Sequence, residues 1–259
     1  MKADAGGVRI EYDDRGSGEP ALLFLTGWCS SKERWSKVAE LEAEHRRVLS
    51  FDWRGHGGSD PAGGDFGLDE MLADALAVIE ASGAGTVIPC AASHSGWVAI
   101  ELRRCLGDRV PMLVHADWML SVPSERYMGV IRQLDSDEWR AARDLLFQIW
   151  AAGQDEPWLR VALAVMNRHG EDMWRRGGRV IGSSYDANVS PFETWTRFAT
   201  PVPVLHIYGQ PHDPEYLALQ ARFASEHDWF SVRKLDALTH FAMLEEPEAV
   251  AAAIEEFVA

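Results

Sequence analysis

The residues best suited to chemistry are a serine, a histidine and two candidate acids, far apart along the chain. The run Val87-Ile88-Pro89-Cys90-Ala91-Ala92-Ser93-His94-Ser95-Gly96-Trp97 passes from an apolar strand pattern through small residues into a helix start. On so tight a turn a serine hydroxyl is lifted clear of the backbone, provided the residues two before and two after it are small. Ala91 and Ser95 supply that smallness where glycines are usual. His240, in Leu238-Thr239-His240-Phe241, follows the last strand-like run. Imidazole titrates near working pH and so suits proton abstraction. Asp117 ends the strand-like run after the serine, and Asp213 follows the penultimate run. Either carboxylate could fix the tautomer of His240, and position along the chain leaves both open.

Two further segments fit the same plan. Leu25-Thr26-Gly27-Trp28 ends an early strand at a point able to give one oxyanion-hole N–H, and His94, directly after the serine, gives the other. Phe51-Asp52-Trp53-Arg54-Gly55-His56-Gly57 has the form Asp-x-Arg-Gly-x-Gly, with Asp52 and Arg54 read as structural. Of the nine histidines, His56, His115 and His206 are also read as structural. The chain order serine, acid, histidine is that of the α/β-hydrolase fold.

The elements that must position these groups follow from periodicity. Apolar β-rich runs predict strands over 8–12, 21–28, 48–53, 87–92, 112–116, 202–208 and 230–235. Helical spacing predicts helices over 68–82, closed by Gly83, and over 97–106 and 248–258. Strand patterns vanish between about 121 and 200, where helices are predicted over 138–152, 158–169 and 172–180. Strands alternating with helices imply a mainly parallel sheet covered on both faces. The expectation is one α/β-hydrolase domain over 1–259, with a helical cap over the sheet's C-terminal edge.

Composition narrows the partners. The 259 residues are 47% hydrophobic and 25% charged, which suits a globular core. A net charge of −15 repels phosphate backbones and anionic lipids, so neither nucleic acid nor membrane is expected as partner. Cys29, Cys90 and Cys105 form no paired framework and no metal spacing, and Cys90 and Cys105 read as small core residues. With no signal-like N-terminus and no membrane-length apolar stretch, a cytoplasmic protein is expected. The 11 tryptophans exceed what filler would need, because a buried indole N–H wants a partner. They point to an aromatic-lined pocket for a flat substrate.

Taken together, the segments resemble the cofactor-independent 2,4-dioxygenases that open 3-hydroxy-4(1H)-quinolone rings with release of carbon monoxide. The likeness runs through Gly27-Trp28-Cys29, Asp52-Trp53-Arg54-Gly55-His56, Ser93-His94 with Trp97, and Asp117-Trp118. It continues through Phe147 to Trp150, Gly178-Arg179-Val180-Ile181, Ser190-Pro191, His206-Ile207-Tyr208 with Gln210-Pro211, and Thr239-His240-Phe241. The resemblance implies His240 as base on the substrate hydroxyl, Asp117 rather than Asp213 as its acid, and Ser93 without an acyl intermediate. It also implies Trp28 and His94 as oxyanion-hole positions, Trp150 as a pocket wall, and a small aromatic heterocycle and O₂ as partners with no cofactor and no metal. Ser30 stands where the family has a histidine, and Ala92 and Ser95 where relatives carry a polar residue and a glycine. The alternative reading of the same residues is a serine hydrolase acting on an ester or amide, with Ser93 as nucleophile.

Overall fold

The computed structural model describes residues 1–259. Eight strands form one sheet in the order β1-β2-β4-β3-β5-β6-β7-β8. β1 (Lys2–Asp4) and β2 (Arg9–Arg15) are antiparallel additions at one edge. β3 (Ala21–Leu25), β4 (Val48–Phe51), β5 (Val87–Ala92), β6 (Leu113–Ala116), β7 (Val204–Tyr208) and β8 (Phe230–Lys234) run parallel. β3 to β7 are buried along their whole length. That matches their continuous apolar runs and the covering expected of a parallel sheet.

Helices α1 (Ser36–Glu42), α2 (Leu68–Ser82) and α3 (Gly96–Leu106) are threaded between the early strands. Between β6 and β7 the chain makes five helices: α4 (Glu125–Leu134), α5 (Trp139–Ala151), α6 (Pro157–Asn167), α7 (Glu171–Asn188) and α8 (Pro191–Thr196). α9 (Pro214–Glu226), α10 (Ala242–Glu245) and α11 (Pro247–Val258) complete the chain. No helix is long and apolar enough to cross a membrane.

Four differences from the sequence expectation have physical causes. β2 continues through Asp13 and Asp14 to Arg15, because Arg47 grips the Asp14 carboxylate at 2.7 and 3.0 Å while the strand pairs with β4. α7 runs eight residues beyond 180 to Asn188, with the Ser184 hydroxyl and the Asn188 amide bonding back to carbonyls one turn earlier. α4 and α9 were not anticipated: each is started by a side-chain cap, Ser124 or Asp213, on a weakly apolar sequence. Cys105 is exposed on α3 rather than in the core, whereas Cys90 is fully buried on β5.

The Asp-x-Arg-Gly-x-Gly loop after β4 is a brace. Asp52 accepts the backbone N–H groups of Lys32 (2.7 Å) and Gly58 (3.0 Å). Gly57 sits at φ +49°, and a Cβ there would lie 2.1 Å from the Asp52 carboxylate. Arg54 is buried and grips fully buried Asp74 on α2 at 2.6 and 3.0 Å. Breaking such a pair from one side strands a buried charge. Asp74→Ala should therefore cost about 3–5 kcal/mol and lower the melting temperature by roughly ten degrees. Removing one side of the exposed Arg233–Glu256 pair by Glu256→Ala should leave melting nearly unchanged. Thermal unfolding of the two variants checks both, and equal melting points would contradict the brace.

Candidate active site

The C-terminal ends of three neighbouring strands share one unusual feature. Cys29 after β3, Ser93 after β5 and Asp117 after β6 are non-glycine residues with positive φ, at 55°, 55° and 47°. Left-handed backbone costs an L-residue about 1–2 kcal/mol and persists only where the surroundings enforce it. Here the enforcing contacts are visible. The Cys29 N–H donates to His56 Nε2 (3.1 Å), whose Nδ1 lies 2.9 Å from the Arg54 carbonyl. The Ser95 hydroxyl, fully buried, donates to the carbonyls of Ala92 (2.7 Å) and Leu25 (3.2 Å), so a serine fits the elbow where a glycine is usual. Gly96 lets the elbow meet the next strand's loop, since a Cβ there would fall 2.3 Å from the Trp118 ring.

The three strand ends open on one cavity. Its polar end carries Ser93, His94, Asp117, His240 and Arg34. Trp28, Trp118, Trp150 and Trp174 wall it, and Tyr127, Ile131, Leu134 and Leu146 from the cap helices extend the apolar lining. Thus Ser93, His240, Asp117, Trp28, His94 and Trp150 converge on one space, although they lie as far apart in sequence as Trp28 and His240. Asp213 does not join them: it is exposed, and its Oδ1 caps α9 by accepting the Glu215 N–H at 2.9 Å. Ser30 is buried outside the cavity lining.

His240 is half-buried, its Nε2 3.3 Å from the Ser93 hydroxyl. The ring stacks on the Trp150 indole, with centroids 5.4 Å apart and planes 15° from parallel. Its backbone N–H donates to the Trp150 carbonyl at 2.9 Å, tying the base to the end of α5. The expected Asp117–His240 hydrogen bond is absent. Both carboxylate oxygens face main chain instead: Oδ1 accepts the Gly209 N–H and Oδ2 the Ala242 N–H, each at 2.8 Å. Asp117 therefore pins the turn at Gly209 and the start of α10, next to the His240 loop.

Burial sets the protonation states. It pushes the Asp117 carboxyl up to about 6, against the pull of the Ala242 and Gly209 N–H groups. Burial, and after it the Arg34 charge, lowers the His240 imidazole to about 3. His94 is lowered to about 3 by burial alone, with neither ring nitrogen bonded and the ring edge-on to Trp28 at 5.3 Å. Near pH 7 the cavity thus holds neutral imidazoles and one carboxylate.

Trp28 joins the site to the cap. Its indole N–H donates to the Met173 carbonyl on α7 (2.8 Å), and a Cβ at Gly177 would lie 2.5 Å from that nitrogen. Its backbone N–H makes no hydrogen bond and is free for a ligand oxygen. His206, fully buried, takes Gln220 on one ring nitrogen (2.6 Å) and the Trp118 N–H on the other (3.3 Å), which fixes the turn after Asp117.

Sequence reasoning missed several contributors. Gln210 was read only within a similar segment, yet its amide donates to the carbonyls of Ile149 (3.1 Å), Trp150 (3.3 Å) and Leu238 (2.9 Å), latching the cap to the His240 loop. Tyr185 lines the cavity and donates to the Met119 carbonyl (2.8 Å). Arg34 carried no signal, lying in the short turn Lys32–Trp35 among ordinary charged residues. Cys29, His56 and His169 also meet, their ligand atoms within 4.8 Å of one another. Chain spacing hides that grouping, and His56 already spends both nitrogens on the backbone contacts above.

Comparison with known proteins gives one answer. Residues 22–253 match the alpha/beta hydrolase family. A 2-heptyl-3-hydroxy-4-quinolone dioxygenase of Rhodococcus erythropolis is 36% identical over 97% of this chain and 96% of that protein. The 1H-3-hydroxy-4-oxoquinoline 2,4-dioxygenase of Pseudomonas putida is 32% identical over 98% of both. The solved structure of a 1H-3-hydroxy-4-oxoquinoline 2,4-dioxygenase superposes with a TM-score of 0.94, covering 100% of both chains at 32% identity. That of AqdC, which cleaves the ring of the Pseudomonas quinolone signal, in complex with its product, also gives 0.94 at 33% identity, again over 100% of both chains. Within the alpha/beta hydrolase family, this chain belongs to the 3-hydroxy-4-quinolone 2,4-dioxygenases.

Proposed function

We propose that this protein cleaves the heterocyclic ring of a 2-alkyl-3-hydroxy-4(1H)-quinolone with dioxygen, giving an N-acylanthranilate and carbon monoxide. The observation that carries the reading is the polarity of the cavity. His240 and the Ser93 hydroxyl stand 3.3 Å apart at one end, and the remainder is mostly tryptophan and aliphatic wall. A flat bicyclic ring matches that division when its hydroxyl and carbonyl meet the polar groups and its carbocycle and alkyl chain lie against the apolar wall. The relatives named for 2-heptyl and unsubstituted quinolones support the class.

The chemistry follows from the spin state of oxygen. Triplet O₂ reacts slowly with closed-shell molecules, and redox cofactors commonly overcome this. An electron-rich anion can instead donate to O₂ directly. His240 takes the 3-hydroxyl proton, leaving the charge delocalised over the ring oxygens. Its imidazole is neutral near pH 7 and ready to accept, and the imidazolium it becomes is steadied by the new anion and by Asp117. The Trp28 and His94 N–H groups steady the quinolone oxygen as charge develops. Oxygen then bonds to C2, the peroxide closes onto C4, and C3 leaves with its own oxygen as carbon monoxide. Both atoms of O₂ remain in the product, one on the former C2 and one on the former C4.

The Ser93 hydroxyl hydrogen-bonds in this scheme and forms no covalent bond to the substrate. His240→Ala should lower kcat by about 10²–10⁴, whereas Ser93→Ala should retain at least about a tenth of the rate, within the worth of one hydrogen bond. Oxygen uptake and carbon monoxide release with a 2-alkyl-3-hydroxy-4(1H)-quinolone measure both. A dead Ser93→Ala variant, together with hydrolysis of simple esters by the parent, would instead establish a serine hydrolase.

The acid has two tests. Asp117→Ala should cost far more rate than Asp213→Ala, and the reverse would reassign the acid. Asp117 ionises as pH rises through about 6, while His240 stays neutral down to about 3. The acid limb of kcat/KM should therefore lie near 6, with activity lost as pH falls through it. It should vanish from the profile of Asp117→Asn, and a limb that survives there belongs to another group.

A further inference from the structure

The cavity contains a buried cation with no hydrogen-bonded or ion-paired partner. Arg34, only 9% exposed, lines the same space as Ser93, His240 and Asp117. Its guanidinium carbon lies 4.4 Å above the centre of the Phe241 ring. Its side chain makes no hydrogen bond, and no carboxylate oxygen comes within 4.0 Å of it. Arg54, buried to a similar degree, shows the ordinary solution: Asp74 matches it at 2.6 Å.

The groups that face Arg34 do not discharge it. Asp117, at the end of β6, spends its oxygens on Gly209 and Ala242. Glu245, from α10, accepts the N–H groups of Leu238 and Thr239 and the Thr239 hydroxyl. The Cys29 thiol is pushed up by burial and so stays uncharged, and His240 is neutral. Lys32, in Arg34's own turn, is engaged by Glu11 and Asp13. Burial holds the Arg34 guanidinium down to about 10, which still leaves it charged near pH 7. The Asp117 charge offsets part of that cost from a distance, but no anion touches the guanidinium, and a charge so buried is placed to meet one that arrives.

Building on the proposed reaction, we propose that Arg34 is the counter-charge for the ionised substrate. As the ring O–H bond breaks and its proton passes to His240, the electron pair left on the substrate oxygen is held by the field of the guanidinium. The ligand class selected is a flat heterocycle carrying an ionisable ring hydroxyl. Arg34 opposes the imidazolium while favouring the oxyanion. It thus promotes loss of the substrate proton and discourages idle protonation of the base when the cavity is empty.

The test uses the intact protein under nitrogen, where binding proceeds and turnover does not. The ionisation of bound 2-alkyl-3-hydroxy-4(1H)-quinolone is followed by its absorption spectrum against pH in the wild type, Arg34→Met, Arg34→Gln and Arg34→Lys. Both neutral variants should raise the bound ligand's apparent pKa by about one unit or more, a tenfold loss in ionisation, and Arg34→Lys should recover most of it. Arg34→Gln, polar and of similar reach, decides the matter where Arg34→Met does not fold. The 2-alkyl-4(1H)-quinolone without the hydroxyl should bind wild type and neutral variants within about twofold, since that ligand develops no charge. An unchanged ionisation in the neutral variants overturns the proposal, as does an equal loss of affinity for both ligands, which would make Arg34 a packing residue on Phe241. A wild type that binds neither ligand would refute the proposed reaction itself, an outcome distinct from either.

Discussion

The site depends on one buried carboxylate bound to main chain rather than to a side chain. Asp117 accepts one N–H from the turn after β7 and another from the first residue of α10, at 2.8 Å each. Hydrogen bonds to a charged acceptor are worth about 1.5–3 kcal/mol apiece, so the two together outweigh the strain of its left-handed backbone. They connect three segments that share no secondary structure. Gly209 permits the approach, since a Cβ there would sit 2.9 Å from the Ala237 carbonyl and 3.0 Å from that of Thr239. Remove the carboxylate and the loop bearing His240 loses its fixed relation to the strand ends bearing Ser93 and Cys29.

The cap is fastened to that frame near the chemistry as well as through the Arg176 and Arg179 pairs with Asp65. Trp28 reaches α7, Tyr185 reaches back from α7 to Met119, and Gln210 and the His240 backbone hold the end of α5. Each contact places a polar group against a main-chain carbonyl. Cap position and base position are therefore coupled through hydrogen bonds. Trp150, part of the cavity wall, is also the surface on which the imidazole stacks. A ligand that shifts α5 must move His240 as well. Ile149, nearly half exposed, both lines the cavity and reaches solvent beside that coupled pair.

Much of this was legible in the residues, and the illegible part has a common cause. β5 and α2 match their predicted spans residue for residue, because an apolar run ended by small residues and a helix ended by Gly83 in the left-handed region are local signals. Ser93, His240 and Asp117 meet at one cavity because strand ends in a parallel sheet cluster at one edge. The unbonded Asp117–His240 pair could not be read, because it depends on which N–H groups the Gly209 and Ala242 turns present. Arg34 was hidden for the same reason. Nothing in Lys32-Glu33-Arg34-Trp35 says which charge points inward, and the structure turns Glu33 to solvent while burying Lys32 and Arg34. Tertiary direction, rather than residue type, carried the missing information.

The charges in the cavity give the hydrolase frame a different use. In a serine hydrolase the acid hydrogen-bonds the imidazole, and the imidazolium formed during acyl transfer is held by that bond. Here the acid is turned to the backbone and a guanidinium stands near the imidazole, so the empty site disfavours imidazolium from two directions: burial and like charge. Such a base is poor at activating a serine, whose alkoxide would be the stronger base of the two. It is better matched to an acidic ring hydroxyl, whose delocalised anion is the weaker base. The same strand-end serine, histidine and aspartate can thus serve acyl transfer or proton abstraction for oxygen chemistry. In this chain the carboxylate points to main-chain N–H groups and a guanidinium lines the same cavity.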